Sequence, residues 1–257
     1  MPRVAREKCE SGMYHIMVRG INRQDIFHDD EDYKIFLETL ECKKISDNCE
    51  IYAYCLMSNH VHLLLHDKKD EISRTMKRIG ISYAWWYNWK YNRVGHVFQD
   101  RYKSESINDD SQLLNVLRYI HNNPVKSLLV KEAEEYRWSS CRVYYGAKEY
   151  PIGLTNTEFI LGILSNNRAS AASKLKEFTK EKNQDRFLDY EVKLRKSDED
   201  LREDIECILG NEPVTILQTI NTKTRNEILK TIKEIEGVSQ RQIARVTGIN
   251  QSIISQA

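Results

Sequence analysis

The stretch "CEIYAYCLMSNHVHLLLHD", residues 49–67, decides the fold. Strand-forming residues fill 49–57 and 60–66, and Ser58-Asn59 between them offers a two-residue turn, so the pattern predicts a β-hairpin. Side chains alternate along a strand. His60, His62 and His66 therefore share one face of the return strand, and Val61, Leu63 and Leu65 share the other. The aliphatic face is expected to meet helices and the histidine face to look outward from the sheet. His60 and His62 stand about 6.6 Å apart at about 3.3 Å per residue, near enough for two imidazoles to converge on one metal ion. His66 lies about 13 Å beyond His62, too far to join without a bend. A bare H-x-H is more often a hydrogen-bonded surface pair, and spacing alone leaves that reading standing.

Outward from the hairpin the chain alternates strands and helices. "MYHIMVRG" (13–20) reads as a strand, followed by a turn at Gly20 and "INRQ". "DDEDYKIFLETLECKKI" (29–45) has Tyr33, Phe36, Leu37 and Leu40 at helical spacing behind an acidic first turn. Residues 71–92 predict a long basic, aromatic helix, 96–107 a strand, and 109–123 a short helix capped by Asp109 or Asn108 and stopped by Pro124. The order β-α-β-β-α-β-α begins with a ferredoxin-like unit, an antiparallel sheet with helices on one face. The predicted fold class is α+β, with an α-helical C-terminal extension.

Past Tyr136 the sequence turns loop-rich. Two modest helices are expected in "NTEFILGILS" and "SAASKLKEFTKEK", and a charged helix or linker at 192–209. Residues 224–257 follow helix-turn-helix logic: Ile228, Ile232 and Ile235 form a stripe, Gly237 ends that helix, Ser239 caps the next, and Gly248 ends it before "INQSIISQ". The chain ends about two turns into that last helix, so the module reads as incomplete. The expected divisions are 1–146 as the main domain, 147–220 as a helical extension or linker, and 221–257 as the helix-turn-helix-like segment.

Composition bounds the function. Of 257 residues, 40% are hydrophobic and 30% charged, an ordinary globular balance. No run approaches the roughly 18 apolar residues of a membrane span, and the first residues lack the apolar centre of a signal peptide. The six cysteines are scattered with no C-x-x-C, which fits a reducing cytoplasm. The net charge is +1, but residues 68–103 hold nine Lys/Arg against three Asp/Glu, so a polyanion is expected to meet this part of the chain.

The predicted helix 109–123 places Leu113, Leu117 and Ile120 on one side and Gln112, Asn115, Tyr119 and Asn123 on the other. Tyr119 and Asn123 thus project together, one turn apart. Taken by itself, this helix is better explained by a half-buried tyrosine with its hydroxyl in water and an asparagine that softens the helix end. Taken with the histidines, two imidazoles and an amide oxygen make a mixed, open site suited to Mg²⁺ or Mn²⁺. A metal of that kind polarises a phosphoryl oxygen. A nearby phenol could attack the phosphorus, given activation of a hydroxyl whose pKa is near 10.

From about Met13 to Trp138 the chain resembles the single-tyrosine HUH transposases, in particular the REP-associated tyrosine transposases. The segments that carry the likeness are "HIMVRGINRQDIF", "LMSNHVHLLL", "GHVFQDRYKS", "LRYIHNNPVKSLLV" and "YRWSS". The resemblance implies that His60, His62 and Asn123 are metal ligands and Tyr119 the nucleophile. It implies a DNA partner, single-stranded with hairpin repeats. It further implies that one strand is cleaved with the 5′ phosphate kept on tyrosine and the 3′ hydroxyl released, and that strands are rejoined without a nucleotide cofactor. The long extension departs from the minimal catalytic core and leaves open a mobile element or a settled cellular role.

"ISYAWWYNWKY" (81–91) packs six aromatics into nine residues. Tyr83, Trp86 and Tyr87 are expected to face the sheet, with Trp85 and Trp89 turned toward DNA bases. Lys77, Arg78, Lys90, Arg93, Arg19, Arg23, Arg101 and Lys103 are candidate phosphate contacts. Two other functions compete: a catalytically silent DNA-binding regulator using the helix-turn-helix, and a relaxase or replication initiator of the wider HUH class. Monomer and homodimer are both compatible with the sequence.

Overall fold

The computed structural model describes residues 11–68, 71–181, 187–188, 196–235 and 237–256. Cys9 and residues 192–195 of the expected charged segment lie outside them. The chain divides into two compact units, Met1–Asp189 and Tyr190–Ala257.

The first unit contains, in chain order, β1 (Met13–Arg19), α1 (Asp30–Asp47), β2 (Cys49–Met57), β3 (His60–Asp67), α2 (Ile72–Lys90), β4 (Lys103–Ser106), α3 (Asp110–Lys126), α4 (Thr157–Leu164) and α5 (Arg168–Lys180). The strands form one antiparallel sheet in the order β2-β3-β1-β4. Met57 pairs with His60 across the two-residue turn, and Met17 of β1 pairs with His62. The turn is tied down from outside: Ile26 and Phe27 N–H donate to the Ser58 carbonyl at 2.7 and 3.1 Å, and Gly20 N–H donates to the Asn59 carbonyl at 2.9 Å. Gly20 must be glycine, because a Cβ there would strike the Gln24 carbonyl oxygen.

The sheet separates two apolar cores. On the aliphatic face, Val61, Leu63 and Leu65 join Ile16, Leu56, Phe36 and Leu40 against Ile79 and Tyr83. Thus α1 and α2 take the side that alternation predicts. Asp29 caps α1 by accepting from the Glu31 and Asp32 amides.

The opposite face differs from expectation. It does not look outward: Cys55, Met57 and Leu64 pack against Leu113, Val116, Leu117 and Ile120 of α3, and against Ile160 and Leu175 of α4 and α5. The cause is that β2 is apolar on both sides and α3 carries its own apolar stripe, so a second helical layer closes over the histidines. Two boundaries also differ. The strand expected over 96–107 is reduced to β4, with an isolated bridge between Gly20 and Phe98. Pro124 does not stop α3, which runs on to Lys126. A proline near a helix end forfeits one ladder bond. The following turn is closed by Ser127 N–H on the Asn123 carbonyl and Leu128 N–H on the Val125 carbonyl, both at 3.0 Å.

The second unit holds α6 (Asp198–Ile208), α7 (Thr222–Lys233), α8 (Gln240–Thr247) and α9 (Gln251–Gln256). Leu201, Ile205, Leu217, Leu229, Ile232, Ile243 and Ile254 form its core. Ser239 caps α8, and Gly248 ends it at φ 70°. No helix among the described residues is long and apolar enough to cross a membrane.

Candidate active site

His60 and His62 project from the start of β3 with ring centroids 5.1 Å apart. His62 is 2% exposed. Each ring is held by its Nδ1 edge: His60 Nδ1 lies 2.6 Å from Asn59 Oδ1, and His62 Nδ1 lies 3.0 Å from His15 Nε2. Burial lowers the His60 pKa to about 4, helped by the Arg19 charge and opposed by a side-chain hydrogen bond with Asn123. Burial also pushes His62 well down, with the charges of His15, His60, Arg19 and Lys126 adding. Both rings are neutral at neutral pH, the form that binds metals.

Tyr119 and Asn123 reach the same place from α3. The Tyr119 ring stands edge-on to His62, centroids 5.5 Å apart at 82°. Tyr119 is 1% exposed, not half-exposed on a polar helix face, because the sheet lies beside that face of α3. Asn123 Nδ2 donates to the Tyr119 carbonyl at 2.9 Å, which leaves Oδ1 for the His60 side. His66 stands apart, 3.5 Å from the Tyr52 hydroxyl.

Four further residues complete the cluster and escaped the sequence reading. His15, fully buried on β1, stacks on His62 at 5.3 Å. Glu105 of β4 pairs with His15 in the sheet register, and its Oε2 lies 3.5 Å from His15 Nδ1. Lys126 Nζ sits 4.5 Å from the Tyr119 ring centre. Phe187 lies edge-on to Tyr119 at 5.4 Å. Alternation in "MYHIMVR" puts His15 on one face with Met17, but only the strand register brings it to His62.

The donor set fits a divalent cation of the Mg²⁺ or Mn²⁺ kind: two neutral imidazoles with their Nδ1 edges engaged, and an amide oxygen. Among the described residues no cluster of three or more His, Cys, Asp or Glu side chains could cage a metal.

The candidate DNA contacts fall into groups. Arg19 acts on both histidines through its charge. Lys103 pairs with Met17 and so shares the histidine face. Trp85 and Trp89 are each 71% exposed on α2, while Tyr83 and Tyr87 are buried. Arg23, Lys77 and Arg101 are exposed. The others are engaged within the protein: Arg78 with Asp47, Lys90 with Asp29, Glu31 and Asp32, and Arg93 with Gln24.

Residues 8–123 match the family described as "Transposase IS200 like". No curated protein matches. Among solved structures, one described as a REP-associated tyrosine transposase bound to a REP hairpin aligns with a TM-score of 0.50 at 19% identity, covering 61% of this chain and 90% of that one. At that identity it shows a shared fold. A candidate transposase from Deinococcus radiodurans R1 aligns more weakly, with a TM-score of 0.34 at 18% identity over 47% of this chain and 96% of that one. The part of the chain that resembles the IS200-like transposase family, residues 8–123, holds the strand pair, the histidines, Tyr119 and Asn123.

Proposed function

We propose that this transposase cleaves and rejoins single-stranded DNA through a covalent 5′-phosphotyrosine at Tyr119. The observation that carries the reading is the meeting of the Tyr119 ring with the His60–His62 pair across two separate elements, β3 and α3. His60, His62 and Asn123 would hold Mg²⁺ or Mn²⁺, and the ion would supply a Lewis acid for a phosphoryl oxygen. The Tyr119 oxygen attacks phosphorus, a new O–P bond forms, and the bond to the 3′ oxygen breaks. The phenol's proton leaves and the departing 3′ oxygen takes one up. Attack by a 3′ hydroxyl on the phosphotyrosine reverses these steps and joins strands. Lys126 and Arg19 supply positive charge beside the reacting phosphate.

The DNA partner is hairpin-forming single strand, a reading supported by the REP hairpin in the structure of similar fold. Trp85 and Trp89 serve as a stacking surface, with Arg23, Lys77, Arg101 and Lys103 as phosphate contacts. Segment 221–257, which contains α7, α8 and α9, is a helix-turn-helix-like DNA-binding module. The test is incubation of the full chain with a hairpin-bearing oligonucleotide and Mn²⁺. A protein–DNA adduct resistant to denaturant is expected. No adduct with any hairpin strand and either metal, alongside intact duplex binding, would instead support a silent regulator.

A further inference from the structure

The line of groups behind His62 has a direction. His15 is fully buried, its Nε2 3.0 Å from His62 Nδ1 and its Nδ1 3.5 Å from Glu105 Oε2. A carboxylate only accepts hydrogen bonds, and a neutral imidazole has one donor and one acceptor nitrogen. With the Glu105 carboxylate 3.5 Å away and attracting the ring proton to Nδ1, the His15 Nε2 is bare. His62 must then supply the proton of the Nε2···Nδ1 contact, so its own Nε2 carries the lone pair. The opposite arrangement would aim a bare His15 Nδ1 at the carboxylate. Asn59 Oδ1 does the same for His60 by lying 2.6 Å from its Nδ1.

We infer that His15, braced by Glu105, is a positioning residue that fixes the His62 proton on Nδ1 and so presents His62 Nε2 as a metal donor. This rests on the metal site proposed above. His15 touches neither DNA nor metal; it acts through His62, as outer partners of ligating histidines do.

The test uses the full chain and its His15→Leu and His15→Gln variants. Histidine ¹⁵N NMR of the metal-free wild type is expected to show His62 protonated at Nδ1 and bare at Nε2. Calorimetric titration with Mn²⁺ is expected to show about 10- to 100-fold weaker binding in His15→Leu, and binding within about threefold of wild type in His15→Gln, whose amide oxygen still accepts from Nδ1–H. A His62 proton on Nε2 overturns the inference, and so does wild-type affinity in a folded His15→Leu protein. If His15→Leu does not fold, the wild-type NMR still decides. Wild-type protein that binds no Mn²⁺ overturns the metal site and this role together, whereas binding that ignores residue 15 overturns the positioning role alone.

Discussion

The Tyr119 ring meets the His62 imidazole edge to face at 82°, with 5.5 Å between centres. A phenol so packed contributes its ring to the core and, in the proposed reaction, its hydroxyl to chemistry, and the two can be separated. Tyr119→Phe keeps the ring. It is expected to abolish the covalent DNA adduct while leaving the unfolding midpoint within about 1 kcal/mol of wild type. An adduct that persists in this variant would assign the nucleophile elsewhere.

Metal binding should be visible without DNA. A ligand bound only by the folded state stabilises it by about 2.7 kcal/mol at a hundredfold excess over its dissociation constant. Mn²⁺ is therefore expected to raise the melting temperature of the wild type, EDTA to reverse the rise, and His60→Ala to eliminate it together with cleavage. A His60→Ala protein that is still stabilised by Mn²⁺ would place the ion at another site.

Acid should destabilise the first unit through His121. This residue is fully buried beside Ser140 Oγ at 3.1 Å, and burial lowers its pKa from 6.5 to about 3. Its folded pKa lies below its unfolded one, so the unfolded chain takes up the proton first. The stability is complete above about pH 6.5 and is lost as pH falls toward 3, at about 1.4 kcal/mol per unit. His60 and His62 act in the same direction. Urea titrations at pH 7 and pH 5 should differ by at least about 2 kcal/mol, and by less in His121→Gln. Equal slopes in the two proteins would count against this account.

The aromatic helix can be dissected face by face. Trp85→Ala and Trp89→Ala remove exposed rings and should weaken single-strand binding by about 1–3 kcal/mol each with little change in stability. Tyr83→Ala removes a fully buried ring whose hydroxyl donates to the Ile26 carbonyl, and should cost about 3–5 kcal/mol of stability. Fluorescence-anisotropy titrations on a labelled oligonucleotide, paired with urea unfolding, separate the two classes. Unaltered DNA affinity in the double tryptophan variant would remove this surface from the DNA path.

Phe187 stands over both Tyr119 and His15, and the next amide, Leu188 N–H, donates to Glu105 Oε1 at 3.1 Å. Phe187→Ala should raise the rate of adduct formation several-fold and speed nitration of Tyr119 by tetranitromethane. If both rates stay at wild-type values, Phe187 does not limit access.

What the sequence revealed and what it hid divide along contact range. The hairpin, the shared face of His60 and His62, the Asp109 cap and the buried stripe of Tyr83 and Tyr87 follow from neighbours within a turn or a strand, and all were legible. The helical wheel grouped Tyr119 with Asn123 correctly but misjudged their surroundings. A wheel reports which residues share a side, not that a sheet will lie against that side. His15 and Glu105 became visible only through strand register, a pairing of positions far apart in the chain. Pro124 misled because proline is decisive in a helix interior and tolerable in its last turn.

β3 is hydrogen-bonded along both edges, to β2 and to β1. α3 joins that sheet through side-chain packing and carries an imino acid in its final turn. The imidazoles therefore stand on a strand held along both edges, and the phenol on an element that can shift without tearing a ladder. In the proposed reaction, exchange of one bound DNA end for another is expected to proceed by travel of Tyr119 past a stationary pair of nitrogens.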